Sequence, residues 1–178
     1  LDDKYEFSAA LGNRGYIYLQ KADFKQAKEC FEKLRNIAEE LDIQVWIANS
    51  AGNMGLIHWR KGDYDRAMEC YQEQLDISEE LNDKPGIAHA TSNMGLIHKR
   101  MGDHKLAIEF YERDLKISEE LGDKRGISIA LGNIGSAHDQ CGEHKRALEC
   151  FDRSINIDRK IDFKHHLAHI LSEKADTL

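Results

Sequence analysis

The chain has 178 residues, of which 41% are apolar and 32% charged, with a formal charge of -7 and a single proline, Pro85. This acidic balance argues against a nucleic-acid binder, which needs a basic stripe, and no apolar run approaches the roughly 20 residues that cross a bilayer. Abundant Ala, Leu, Glu, Lys and Arg with almost no proline predict a strongly helical protein, because these residues favour helices and proline breaks them.

The same residue types return every 40 positions, and such a period signals an array of small units. The first unit, 3–41, carries Asn13, Gly15, Ala27 and Phe31 and closes on Leu41. Asp23 stands where an N-cap would open a second helix, and Ala22 holds the stop position before it. The second unit, 42–81, repeats the series as Asn53, Gly55, Ala67, Tyr71 and Leu81. Gly62 stands where a left-handed residue would end its first helix, with Asp63 as the cap of the next. In the third unit, 82–121, the series is Asn93, Gly95, Ala107, Tyr111 and Leu121, with Gly102 and Asp103 at stop and cap. Its first helix is predicted from about Pro85 to Met101, on the stripe Ile87, Ala90, Met94, Ile97 and His98. The fourth unit, 122–161, has Asn133, Gly135, Ala147, Phe151 and Ile161, with Gly142 as stop and Glu143 as a weaker cap. Asp83 and Asp123 are expected to cap the first helices of units three and four. A fifth first helix over 162–178 has Glu173 and Ala175 in place of Asn and Gly, and is expected to be a cap or a partial repeat. Leu1 holds the seam register, so residues 1–178 are expected to be one array cut from a larger protein.

Gly55 with its bulky partner His58 on the first helix, and Ala67 with Tyr71 on the second, resemble the tetratricopeptide repeat family. The resemblance implies an all-α, right-handed α-solenoid of antiparallel helix pairs whose small residues let two helices approach. The units exceed the usual length of about 34 residues. Seams such as LGDKRG are similar to those of the longer repeats in Pins-type polarity adaptors, kinesin light chains and bacterial signalling arrays. A protein-binding scaffold or adaptor is therefore implied, with first helices lining a concave groove.

The asparagines have no such packing explanation. Asn53 adjoins Met54 of the buried stripe, so its side chain points about 100° away. Asn49, Asn53, Leu56 and Arg60 fall at i, i+4, i+7 and i+11 and make one ridge. Its equivalents are Ala9, Asn13, Tyr16 and Gln20, then His89, Asn93, Leu96 and Arg100, then Ile129, Asn133, Ser136 and Gln140. An amide offers both a donor and an acceptor, as a peptide unit requires. Helices about 8–10 Å apart would place one Asn at about every third residue of an extended ligand. The resemblance implies an asparagine ladder of this kind at Asn13, Asn53, Asn93 and Asn133, and Arg60 and Arg100 favour an acidic peptide. The competing expectation is that these amides only brace neighbouring helices. Two other functions remain open: end-to-end stacking of copies, and a regulatory segment of a multidomain signalling protein.

Catalytic, metal and cofactor roles are declined. His58, His98 and His138 hold the family's bulky core position, one repeat apart, too far to share a metal. His165, His166 and His169 lack a third ligand and are expected at the surface, as are His104 and His144. Cys30, Cys70 and Cys150 share a register with Phe110, which argues for packing. Glu39–Glu40, Glu79–Glu80 and Glu119–Glu120 read as a solvated face, and no phosphate loop follows from the glycines. The opening LDDKYEF has no leader pattern, and the cysteines show no disulfide-like spacing, so a cytoplasmic location is expected.

Overall fold

Helix ends in this chain are set by residues that take up a positive φ. The structure, a computed structural model, describes residues 2–178. Among the described residues there are nine helices and no strand: α1 (Asp2–Gln20), α2 (Phe24–Glu40), α3 (Gln44–Arg60), α4 (Tyr64–Glu80), α5 (Lys84–Met101), α6 (His104–Leu121), α7 (Lys124–Gln140), α8 (His144–Ile161) and α9 (Lys164–Thr177). Pro85 sits in the first turn of α5, where its missing N–H leaves no helical bond unmade. Leu1, expected to close a preceding helix, lies outside the described residues.

Gly62, Gly102 and Gly142 adopt φ of 78°, 88° and 75°, and Ala22 follows them at 56°. Each left-handed residue turns the chain so that the next amide reaches back five residues. Asp63 N donates to His58 O (3.0 Å), Asp103 N to His98 O (2.9 Å) and Glu143 N to His138 O (2.9 Å). These bonds satisfy carbonyls left over at the helix end. The seams use the same device, with Asp42, Asn82, Gly122 and Asp162 at positive φ.

Asp23 and Asp63 cap as expected, accepting from Gln26 N (3.1 Å) and Arg66 N (3.4 Å). Asp123 accepts from Arg125 N (3.0 Å). The carboxylates of Asp103 and Glu143, expected as caps, accept no hydrogen bond from the backbone amides of their helices. Both carboxylates turn toward the histidine five residues earlier, as Asp63 does at 3.6 Å from His58 Nδ1 while also capping. Glu143 Oε2 lies 2.7 Å from His138 Nδ1 and also accepts from Arg146 Nη1 (3.0 Å), while Asp103 Oδ2 lies 3.8 Å from His98 Nδ1. His138 first, then Arg146, holds the Glu143 carboxyl below its ordinary value.

The chain divides into two compact units, one ending at Gly86 and one starting at Ile87. In the first, α2 packs against both α1 and α3, and α3 against α4. Leu19, Ala27, Phe31 and Ile57 form one buried cluster there, flanked by Tyr18, Phe24, Met54 and Leu56. In the second, α7 packs against α6 and α8, and α9 against α8 and more lightly against α7. Its buried clusters are Ala107, Tyr111, Ile134 and Ala137, and Ala147, Phe151, Ile155 and Ile170.

One contact recurs in all four pairs. A Cβ on Gly15 would stand 2.6 Å from the Phe31 ring, on Gly55 2.8 Å from Tyr71, on Gly95 2.7 Å from Tyr111, and on Gly135 2.6 Å from Phe151. The missing side chain is the space that the aromatic of the second helix fills, so the two 40-residue registers are two halves of one contact.

The interior also holds charge. Asp114 on α6, in the register of Leu34, is buried and hydrogen-bonded by Ser118 (3.3 Å) and Ser92. Asp158 on α8 is wholly buried, accepting from Ser128 (2.5 Å) with His166 Nδ1 at 2.8 Å. His166 was expected at the surface. It is half-buried, stacked on Phe163 at 5.2 Å, with its Nδ1 turned to the Asp158 carboxyl. His104 is also half-buried rather than solvated, its Nδ1 shut off from water. Cys30 is buried, and burial pushes the half-buried Cys70 and Cys150 thiols up, as expected of packing residues.

Candidate peptide-binding ridges

Each unit carries its own stretch of the predicted ridge. In the first unit, α1 presents Asn13 and Tyr16, the ring 53% exposed, and α3 presents Asn49, Asn53, Leu56 and Arg60. Leu56 is half-buried because it packs on the cluster around Ile57. Arg60 is partly engaged: its Nη1 donates to the carbonyl of Leu19 (2.8 Å), near the end of α1. A cation there meets the carbonyl-rich, partially negative end of a helix. The guanidinium keeps further donors for a carboxylate.

In the second unit, α5 presents His89, Asn93, Leu96 and Arg100, and α7 presents Ile129, Asn133, Ser136 and Gln140. His89, Arg100 and Gln140 are exposed, while Asn93, Leu96, Asn133 and Ser136 are half-buried. The amides differ in their partners. Asn93 Nδ2 donates within its own helix, to His89 O (2.9 Å), and lies 3.2 Å from the His89 ring. Among the described residues, the amides of Asn13, Asn53 and Asn133 have no hydrogen-bond partner, and none of the four reaches a neighbouring helix.

One cation beside the ridge escaped sequence reasoning. Lys99, one residue before Arg100, stretches from α5 to α7, where its Nζ donates to Ser136 Oγ (3.2 Å). Burial pushes the Lys99 amine down, while the charge of Glu173 on α9 partly offsets this. The available signal was a lysine in the register of Leu19, which is fully buried, and Trp59. Among the described residues neither Lys99 nor Arg100 has a carboxylate within 4.0 Å, although acidic residues outnumber basic ones 32 to 25. No three His, Cys, Asp or Glu side chains among the described residues are placed to hold a metal ion, and no helix there is long and apolar enough to cross a membrane.

No curated protein matches the sequence significantly. Solved structures do resemble the fold. Aspartyl phosphate phosphatase F from Bacillus subtilis is 15% identical, with a TM-score of 0.93 over 100% of this chain and 47% of that one. BtubC (BKLC) from P. vanneervenii is 21% identical, with a TM-score of 0.76 over 87% of this chain and 64% of that one. A signal transduction ATPase with numerous domains and a tetratricopeptide repeat sensor, from Pyrococcus horikoshii, is 15% identical, with a TM-score of 0.84 over 99% and 28%. The chain thus spans less than two thirds of each of these proteins, and at such identities the likeness concerns the fold: an all-α solenoid of antiparallel helix pairs. The sequence pattern of the tetratricopeptide repeat matches residues 6–80, 46–120 and 86–160. With the glycine–aromatic contact present in all four pairs, the chain belongs to the tetratricopeptide repeat family, whose repeats generally mediate protein–protein interaction on a scaffold without catalysis of its own.

Proposed function

We propose that this chain is a protein-interaction module that binds an extended, acidic peptide segment along the asparagine ridges of its first helices. The observation that carries this reading is the unspent amides of Asn13, Asn53 and Asn133, which bond no neighbouring helix and so brace nothing. A ligand backbone supplies the donor and acceptor that such amides lack. Acidic character follows from Arg100, an exposed ridge cation with no carboxylate within 4.0 Å among the described residues.

Magnitudes set the expected strength. Neutral hydrogen bonds contribute about 1 kcal/mol each and bonds to charged groups about 1.5–3, whereas association costs about 4–15 kcal/mol. Polar contacts alone bind weakly, so Tyr16, Leu56, Trp59 and Leu96 have to add apolar contact, and micromolar affinity is expected. The same reading puts the chain in the cytoplasm, where its four free thiols stay reduced. The test is an array of acidic dodecapeptides probed with the wild-type chain and with Asn93→Ala/Asn133→Ala. With helicity unchanged, the double variant should bind at least tenfold more weakly; equal binding refutes the ladder.

A further inference from the structure

The last helix leaves one long side uncovered. Its other side is fixed to the second unit: Ile170 is buried with Phe151 and Ile155, Leu167 flanks them, and Lys174 Nζ donates to Asp152 of α8 (2.5 Å). On the side facing away, Ala168, Leu171, Ala175 and Leu178 fall at i, i+3, i+7 and i+10, one apolar ridge along a helix. All four are exposed, Leu171 by 43% and Leu178 by 86%. Forty residues earlier the same register on α7 is Ser128, Leu131, Gly135 and His138. There Ser154 Oγ of α8 donates to Ser128 O (3.0 Å), Phe151 of α8 meets Gly135, and Leu131 is 1% exposed.

The ridge of α9 differs from that of α7 where a second helix would dock. In each of the four pairs the second helix brings an aromatic ring to a glycine, and a Cβ on Gly135 would stand 2.6 Å from Phe151. In α9 that register holds Ala175, whose methyl group takes the space such a ring needs. The ridge suits a helix whose contact residues are small, and α9 is itself such a helix. We infer that this ridge is the contact between two copies of the chain, paired antiparallel about a two-fold axis near Leu171 and Ser172. That axis sets Ala168 of each copy against Ala175 of the other, so the helices approach to the short end of the usual range of about 8–10 Å, with the two Leu171 side chains between them. It also sets the first turn, with Lys164 and His165, beside the last turn, with the exposed Asp176, so basic and acidic residues meet at both ends. A parallel pairing would instead set Asp176 against Asp176. The contact is one helix of 14 residues, below the roughly 800 Å² per partner of a standard interface, so the dimer is weak and forms at micromolar concentration or above. It does not depend on the peptide-binding reading, because Glu173, in the asparagine register, lies on another side of α9.

Sedimentation equilibrium of the 178-residue chain, from micromolar to millimolar concentration, tests this. The average mass should rise from one chain toward two. Leu171→Glu should hold it at one chain across the range, with the circular dichroism unchanged. Asp176→Lys should weaken association at least threefold, and adding His165→Glu should restore it. A mass of one chain at every concentration overturns the inference. So does association that survives Leu171→Glu but is lost in Phe7→Glu, which puts the contact on α1, where Phe7 is exposed. An Asp176→Lys chain that associates as tightly as the wild type overturns the antiparallel arrangement.

Discussion

Replacing Asp114 by asparagine should stabilise the protein at neutral pH and do nothing favourable in acid. The carboxyl is 5% exposed, on the face of α6 where the equivalent residue of α2 is Leu34. Burial raises its pKa from 3.8 to about 6, against the opposing hydrogen bonds from Ser92 and Ser118. The folded value lies above the unfolded one, so folding favours the protonated acid. The contribution of this group is fully present below about pH 3.8 and is lost as pH rises through about 6. At about 1.4 kcal/mol per pH unit, carrying the charge at pH 7.5 costs about 3 kcal/mol. Asparagine keeps the shape and an oxygen for both serines, but its added N–H donors lack partners, at a cost of about 1 kcal/mol. The expected net gain at pH 7.5 is about 1–2 kcal/mol, falling to zero or slightly below it near pH 4. Urea unfolding of both proteins between pH 4 and 8 measures the difference, in which the other carboxylates cancel. A difference that stays flat from pH 5 to 7.5 refutes a buried, strained charge at this site.

Two further perturbations probe the architecture. Gly95→Ala puts a methyl group 2.7 Å from the Tyr111 ring, and the overpacking of about 1–3 kcal/mol should outweigh the roughly 1 kcal/mol gain in helix propensity. Thermal unfolding should show a lower midpoint, partly restored by adding Tyr111→Leu, and an unchanged midpoint disproves the contact. His166→Ala removes a hydrogen-bond partner of the buried Asp158 carboxyl and should lower stability by about 1–3 kcal/mol, with hydrogen exchange in α9 accelerated first. Uniform exchange across α8 and α9 would show that the pair does not hold the last helix in place.

The period, the helix ends and the glycine–aromatic contact were all legible in the amino-acid order, because each depends on residues that recur at one register or lie next to one another. A residue that repeats four times states its own constraint, and Gly62, Gly102 and Gly142 needed only local backbone sterics to mark their turns. The fourfold recurrence of asparagine was legible for the same reason. What the order of residues left undecided were features that do not repeat. Asp158 meets Ser128 across 30 positions and His166 across eight, on three different helices, and no second unit carries the same set. Lys99 likewise meets a partner, Ser136, only when α7 comes within reach. Local and periodic physics wrote the helices and their pairing into the sequence, whereas the placement of buried charge and the direction of single side chains depend on neighbours that only the folded chain assembles.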